Sequence, residues 1–204
     1  MVVDSKQYII ETAYGLFLQR GFKAVTMQDI LGATNLSKGA FYHHFKSKEE
    51  VFEAAVRMFF AGGISRNFSE FPHTSFKEFL EAELTFVHER REYLIAYSKE
   101  KNQPLSSNYF SVMFEAARLL PEFKRDLHAF RERELKAWTN IIKKARATGE
   151  INSDMSNLQI ARLFIYVNKG LGMQLILDNN QGEVHKELKV MWMAIYNGLK
   201  NTNN

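Results

Sequence analysis

The sequence predicts an all-α protein of about nine helices, with three short ones forming an N-terminal head and the rest a larger bundle. Three observations lead there. Almost every apolar stretch in the 204 residues repeats every three to four positions, the period of a helix face. Signals for a helix start, a Ser, Thr or Asp followed three residues later by an acid or amide, recur ahead of those stretches. No stretch shows the two-residue alternation of a half-buried strand, and there is no internal repeat or low-complexity tract.

Taken in order, Ile9, Ile10, Ala13, Leu16 and Phe17 share one face of a first helix over about 4–20, with Asp4 and Gln7 as a capping box and Gly21 as the stop. Thr26 and Asp29 repeat the box ahead of Met27, Ile30 and Leu31, and this second helix runs out at Thr34-Asn35. Ser37 caps a third short helix carrying Ala40, Phe41 and Phe45, and Ser47 with Glu50 opens a fourth at Lys48. That one carries Val51, Phe52, Ala55 and Phe59 and is expected to reach about 70, weakened by Gly62-Gly63. Beyond Pro72, helices are expected over about 75–100, 106–119 and 121–147, the last starting at Pro121. Two more, about 156–178 and 183–200, are apolar around most of their circumference, which predicts burial on more than one side.

Composition narrows the function. The 46% apolar residues suffice for a core, and the absence of cysteine excludes disulfides, thiol nucleophiles and thiolate zinc sites and fits a reducing cytoplasm. The N-terminus, interrupted by Asp4, Lys6 and Glu11, does not read as a signal peptide, and the most apolar later run, 163–177, is too short to span a bilayer and contains Asn168 and Lys169. A net charge of +4 permits an anionic partner without requiring one. No Gly-rich phosphate loop, GxSxG elbow or HExxH is present, and the acid pairs Glu81–Glu83 and Glu89–Glu92 read as solvated helix faces, so no enzyme and no cofactor is expected.

Helices two and three, joined through Thr34-Asn35-Leu36, have the proportions of a helix-turn-helix, in which one turn residue takes positive φ; after Gly, Asn is best suited to that post. The run TMQDILGATNLSKGAFYHHFKSKEEVF resembles the DNA-binding signature of the TetR/AcrR family of transcriptional regulators, and the match extends back through GLFLQRGFKAVTM to cover about the first 55 residues. Thr34-Asn35 stands where the family usually has Ala-Gly, and Gly32 occupies a position where a helix-favouring residue is common, at a cost of roughly 1 kcal/mol to helix two. The segment AWTNIIKKARATGEI, followed by SNLQIARLF, is similar to the family's penultimate region, with less specificity.

The resemblance implies a head over 1–47, an effector-binding and dimerisation domain over 48–204, and double-stranded DNA as partner. It places Thr26, Tyr42, His44 and Lys48, which carry hydroxyl, ring N–H and ammonium donors, on backbone phosphates. Gln28, Ser37, Lys38, Gly39, Ala40 and His43 are candidates for base contacts, Lys38 being able to reach guanine O6 and N7, and Lys6 can reach a minor groove or a phosphate. His43 and His44 point about 100° apart on a helix, with no adjacent acid as third ligand, so no metal site is expected. Phe17, Phe22, Ile30, Leu36, Phe41, Phe45 and Phe52 read as core.

In the bundle, the resemblance implies a pocket for an unknown small apolar or amphipathic effector, with Tyr97, Tyr109, Met113, Phe114, Trp138, Asn140 and Asn168 as candidate lining residues, although aromatic and methionine stripes also serve as plain core. A palindromic operator requires a homodimer, for which Leu163, Val167, Leu171, Leu175, Met191 and Ile195 are candidates, with Gly170 and Gly172 permitting close approach. Repression by promoter occupancy is the favoured mode. A regulator without an effector is the alternative.

Overall fold

The computed structural model describes residues 4–64, 67, 68, 75–96, 108–177 and 184–200. Among them are nine α-helices and no strand: α1 Ser5–Ala24, α2 Met27–Thr34, α3 Lys38–His44, α4 Lys48–Ile64, α5 Phe76–Ala96, α6 Asn108–Leu119, α7 Pro121–Ala147, α8 Asn157–Leu177 and α9 Val184–Leu199. The chain forms two compact units, one of Met1–Ser65 with Glu92–Leu127, the other of Arg66–Arg91 with His128–Asn204. Packing therefore carries the first unit past residue 47 to include α4 and α6, both of which pack on α1.

Local chemistry explains the helix ends. Gly21 takes φ 74° and ψ 159°, breaking the helical path before one further turn to Ala24. That conformation is costly for any residue with a Cβ. Asp4 caps α1 by accepting the Lys6 backbone N–H at 3.0 Å, but Gln7 does not close a box; its side chain donates to Glu11 instead, at 2.7 Å. α4 is described as far as Ile64, and Asn67 is not helical; the rest of the run to about 70 that its apolar pattern suggested lies mostly outside the described residues.

In the first unit α1 is the central element. Its Tyr14 stacks on Phe59 of α4 with centroids 3.8 Å apart, and Phe17, Phe22 and Phe52 form a closed set at 4.3–5.7 Å. Ile30 of α2 and Phe41 of α3 are fully buried, as are Val51 and Phe59 of α4. Of the expected head core, only Leu36 is half-buried rather than buried.

The second unit closes around Trp138. Its ring meets Phe79 edge-on at 4.9 Å, Phe164 face-on at 5.4 Å and Trp192 at 5.4 Å, and the Trp192 indole N–H donates to the Phe164 carbonyl at 3.1 Å. Glu150, in the turn after α7, ties three elements together. Its carboxylate accepts the backbone N–H groups of Phe76 and Lys77 at 2.8 and 2.9 Å and the Tyr196 hydroxyl at 2.9 Å. One acid expected on a solvated face is not there: Glu83 is only 5% exposed, because it follows Phe79 and Leu80 on the face of α5 turned to the core.

Candidate nucleic-acid interface

The site begins with the start of α2. Thr26 Oγ1 accepts the Asp29 backbone N–H at 3.1 Å, while Asp29 Oδ2 accepts both the Thr26 backbone N–H, at 2.8 Å, and the Thr26 hydroxyl. Arg20 of α1 reaches Oδ1 of the same carboxylate at 3.3 Å. The Thr26 bonds, hydroxyl first, and the Arg20 charge hold Asp29 below the usual carboxylate range. The Thr26 hydroxyl proton is thus directed at Asp29, and the residue's evident work is to fix the N-terminus of α2.

The turn follows. Asn35 sits in the left-handed region at φ 55°, the sole non-glycine residue with positive φ among those described. Thr34 beside it is buried and donates its hydroxyl to the Leu31 carbonyl at 2.9 Å. Ser37 Oγ then accepts the Ala40 backbone N–H at 3.3 Å and starts α3. That geometry sets what α3 displays. Phe41 is wholly buried and locks the helix to the head, whereas Ser37, Lys38, Gly39, Ala40, Tyr42 (42% exposed) and His43 are exposed, as is Gln28 on α2. His44 is half-buried, its ring 5.2 Å from that of His43. Among the described residues no three His, Cys, Asp or Glu side chains are placed to share an ion.

Lys48 makes contacts that its place in the motif did not reveal. Its ammonium donates to the Phe22 carbonyl at 3.0 Å and lies 4.3 Å from the centre of the Phe22 ring, which joins the start of α4 to the end of α1. An ammonium carries three donors, so two are left for an anion.

Residues 9–55, the stretch that builds this arrangement, match the family model described as bacterial regulatory proteins, tetR family. Over those residues the chain carries the N-terminal DNA-binding region of the tetR family. It is 25% identical over 200 residues to the transcriptional repressor DhaR of a Mycobacterium species, covering 98% of this chain and 96% of that one. To the repressor KstR2 of Mycolicibacterium smegmatis it is 29% identical over 150 residues, covering 72% of this chain and 67% of the other. The fold is that of solved relatives such as NalD, the secondary repressor of the MexAB-OprM multidrug efflux pump in Pseudomonas aeruginosa, with a TM-score of 0.65 at 15% identity over 97% of this chain and 96% of that one.

The other residues singled out from the sequence fall in different places. Tyr97 lies outside the described residues. Tyr109 and Met113 are half-buried on α6, Tyr109 stacked 5.6 Å from Phe60, while Phe114 is 64% exposed. Those three belong to the first unit; Trp138, Asn140 and Asn168 belong to the second, where Trp138 is 2% exposed in the core, Asn140 exposed and Asn168 half-buried. A cleft that the sequence did not suggest lies between α7 and α8. It holds about 200 Å³, lined by Arg131, Glu134, Leu135, Arg162, Ile165 and Lys169 among others, with Lys169 paired to Glu134 at 2.7 Å.

On α8 and α9, Leu163 and Met191 are exposed and Val167, Leu171 and Ile195 half-buried, but Leu175 is only 5% exposed and faces its own core. The exposed α8 row is Leu163, Tyr166, Gly170, Met173 and Leu177, at steps of three and four residues. The exposure of Tyr166, Met173 and Leu177 was not foreseen, because a helix apolar all round gives no clue to which side is outward.

Proposed function

We propose that this protein is a homodimeric repressor that reads a palindromic operator with α3 and whose operator affinity is modulated by a small apolar or amphipathic effector bound in the helical bundle. The observation that carries the reading is the display on α3: a run of exposed Ser37, Lys38, Gly39 and Ala40, then Tyr42 and His43, on a short helix anchored by fully buried Phe41. The small residues let backbone approach base edges and thymine methyls, Lys38 reaches guanine, and Tyr42, His44 and Lys48 grip phosphates on either side. Thr26 contributes by holding the α2 terminus against the backbone.

Dimerisation is supported by the exposed apolar row on α8, continued on α9 by Met191, Ala194 and Gly198 at the same spacing. Steps of three and four are those of a helix-to-helix seam, and α8 and α9 pack together within the protomer, so two copies would make a four-helix interface. Half-sites would then lie about one DNA turn, roughly 34–36 Å, or a multiple apart. Tyr109, stacked on Phe60, and Met113, half-buried on the same helix, are the best supported effector contacts, since they combine apolar surface with a hydroxyl. Such a repressor acts on promoters in the cytoplasm. No helix among the described residues is long and apolar enough to cross a membrane.

The test is selection of sites from a random duplex library at near-physiological salt, with sequence and half-site spacing both read. Enrichment of a two-fold symmetric site is the expected result. Recovery of unrelated sequences would reject sequence-specific reading by α3, and a single asymmetric half-site would reject the dimer.

A further inference from the structure

His185, in the first turn of α9, has its Nδ1 shielded from solvent and without a hydrogen-bond partner among the described residues. A ring nitrogen so placed carries either a proton that it cannot donate or a lone pair that it cannot share, and a buried nitrogen in that state requires a partner. A second imidazole stands beside it. The ring of His88, from α5, has its centre 5.1 Å away, with 55° between the two planes. Both helices are fixed close by, since Leu84, one turn before His88, and Leu188, one turn after His185, belong to the core around Trp138. His88 is exposed, which opens the pair to an ion from solution.

We propose that His88 and His185 form a chelate for a single divalent ion of the zinc class, joining α5 to α9. Zinc–nitrogen bonds of about 2.0–2.1 Å at a tetrahedral angle put the centres of two imidazoles on one ion roughly 5 Å apart, and the observed separation meets that requirement. The rings of His43 and His44 are 5.2 Å apart as well, but as neighbours on one helix they point about 100° apart, whereas His88 and His185 approach each other from two helices. Imidazole favours zinc and its late first-row neighbours over magnesium and calcium, which take oxygen ligands. Two protein ligands leave the other positions of a tetrahedral ion to solvent, so the site fills by mass action and is not a permanent structural centre. Its direct effect is to fix the start of α9 against α5. It is independent of the effector contacts on α6, which belong to the other unit.

The experiment is calorimetric titration of the untagged full-length protein with zinc chloride, alongside thermal melts followed by tryptophan fluorescence, which reports on the unit that holds both histidines. Zinc at a tenfold excess over its dissociation constant should raise the melting midpoint by about 2–4 °C, and magnesium chloride should not. His88→Gln and His185→Gln should each lower the zinc stoichiometry by one ion per protomer and abolish the rise, with melts in the absence of zinc confirming that they fold. His88 is exposed, so that variant carries the test on its own should His185→Gln melt early. His43→Ala with His44→Ala should keep the rise. The proposal is overturned if the intact protein binds no zinc or is not stabilised by it, if His88→Gln binds as much as the intact protein, or if the rise is lost with the histidines of α3.

Discussion

Replacing Glu150 by Ala should cost the second unit about 3–4 kcal/mol. One carboxylate there serves three donors from two elements distant in sequence, Phe76 and Lys77 at the start of α5 and Tyr196 near the end of α9. A hydrogen bond to a charged acceptor contributes about 1.5–3 kcal/mol where it is sheltered and less where water can replace it. The bonds to Phe76 and Tyr196 are part-buried and that to Lys77 is exposed, so two fall near the lower end of that range and the third below it. Ser75 still accepts the Glu78 N–H at 3.1 Å, so α5 keeps one cap and the loss does not extend to the whole helix. Urea unfolding followed by tryptophan fluorescence reports on this unit alone, because Trp138 and Trp192 are the only tryptophans and both lie in its core. Glu150→Gln keeps one carbonyl acceptor and should lose roughly half as much. The Tyr196 hydroxyl gives a second readout, since burial and then the bond to Glu150 push it up to about 12. The folded protein holds that proton to higher pH than the unfolded chain does, so this contribution is complete below about pH 10 and is lost as pH rises towards 12. In Glu150→Ala the loss should finish at lower pH, with burial alone sustaining the remainder. A stability loss under about 0.5 kcal/mol, the size typical of a neutral surface change, would refute the keystone role of this carboxylate.

Gly32 and Gly21 should respond to alanine in opposite directions: Gly32 is in a helix with open space where a Cβ would go, so Gly32→Ala should gain about 0.5–1 kcal/mol, whereas Gly21 at φ 74° should lose about 1–3 kcal/mol, both read from thermal melts. Tyr42→Ala should weaken binding to operator and random duplex alike, while Lys38→Ala should relax preference at one base position by about 1–3 kcal/mol; repeating the site selection separates them, and an unaltered preference would remove Lys38 from base readout. Tyr166→Glu with Met173→Glu should give a monomer by sedimentation and collapse operator affinity while α-helical content stays constant, because a like charge would then stand in the seam of both copies. A dimer that persists would place the interface elsewhere.

The head was legible because its determinants are local. The Thr26–Asp29 box, the left-handed Asn35 and the Ser37 cap each span four residues or fewer, and backbone chemistry alone specifies them. What escaped depends on residues far apart in the chain. Glu150 meets Phe76 across 74 positions, and Lys48 meets the Phe22 carbonyl across 26, separations over which no spacing pattern carries information. The asymmetry of α8 was hidden for another reason. Leu175 and Leu177 are chemically alike, yet the first is buried and the second exposed, a difference set by tertiary packing that residue type does not carry.

The distribution of charge explains why a net +4 said little about the partner. Some cations in and around the head are engaged within the protein: Arg20 with Asp29, Arg57 with Glu53 and Glu122, Arg118 with Glu115, and Lys48 with a carbonyl. Such exposed pairs contribute little stability. Their consequence is for binding. A cation already held in an ion pair releases fewer counterions when it meets a phosphate, so the salt dependence of the operator complex should follow the basic groups free to reach phosphates, and not the total. The candidates for sequence preference are Gln28 and the short exposed run Ser37–Ala40 with His43, and the placement of that run depends on one buried phenylalanine and one asparagine with positive φ. A substitution at Phe41 or Asn35 touches no DNA in this arrangement, yet it should lower specific binding more than nonspecific binding, because only base contacts require α3 to be held in a single orientation.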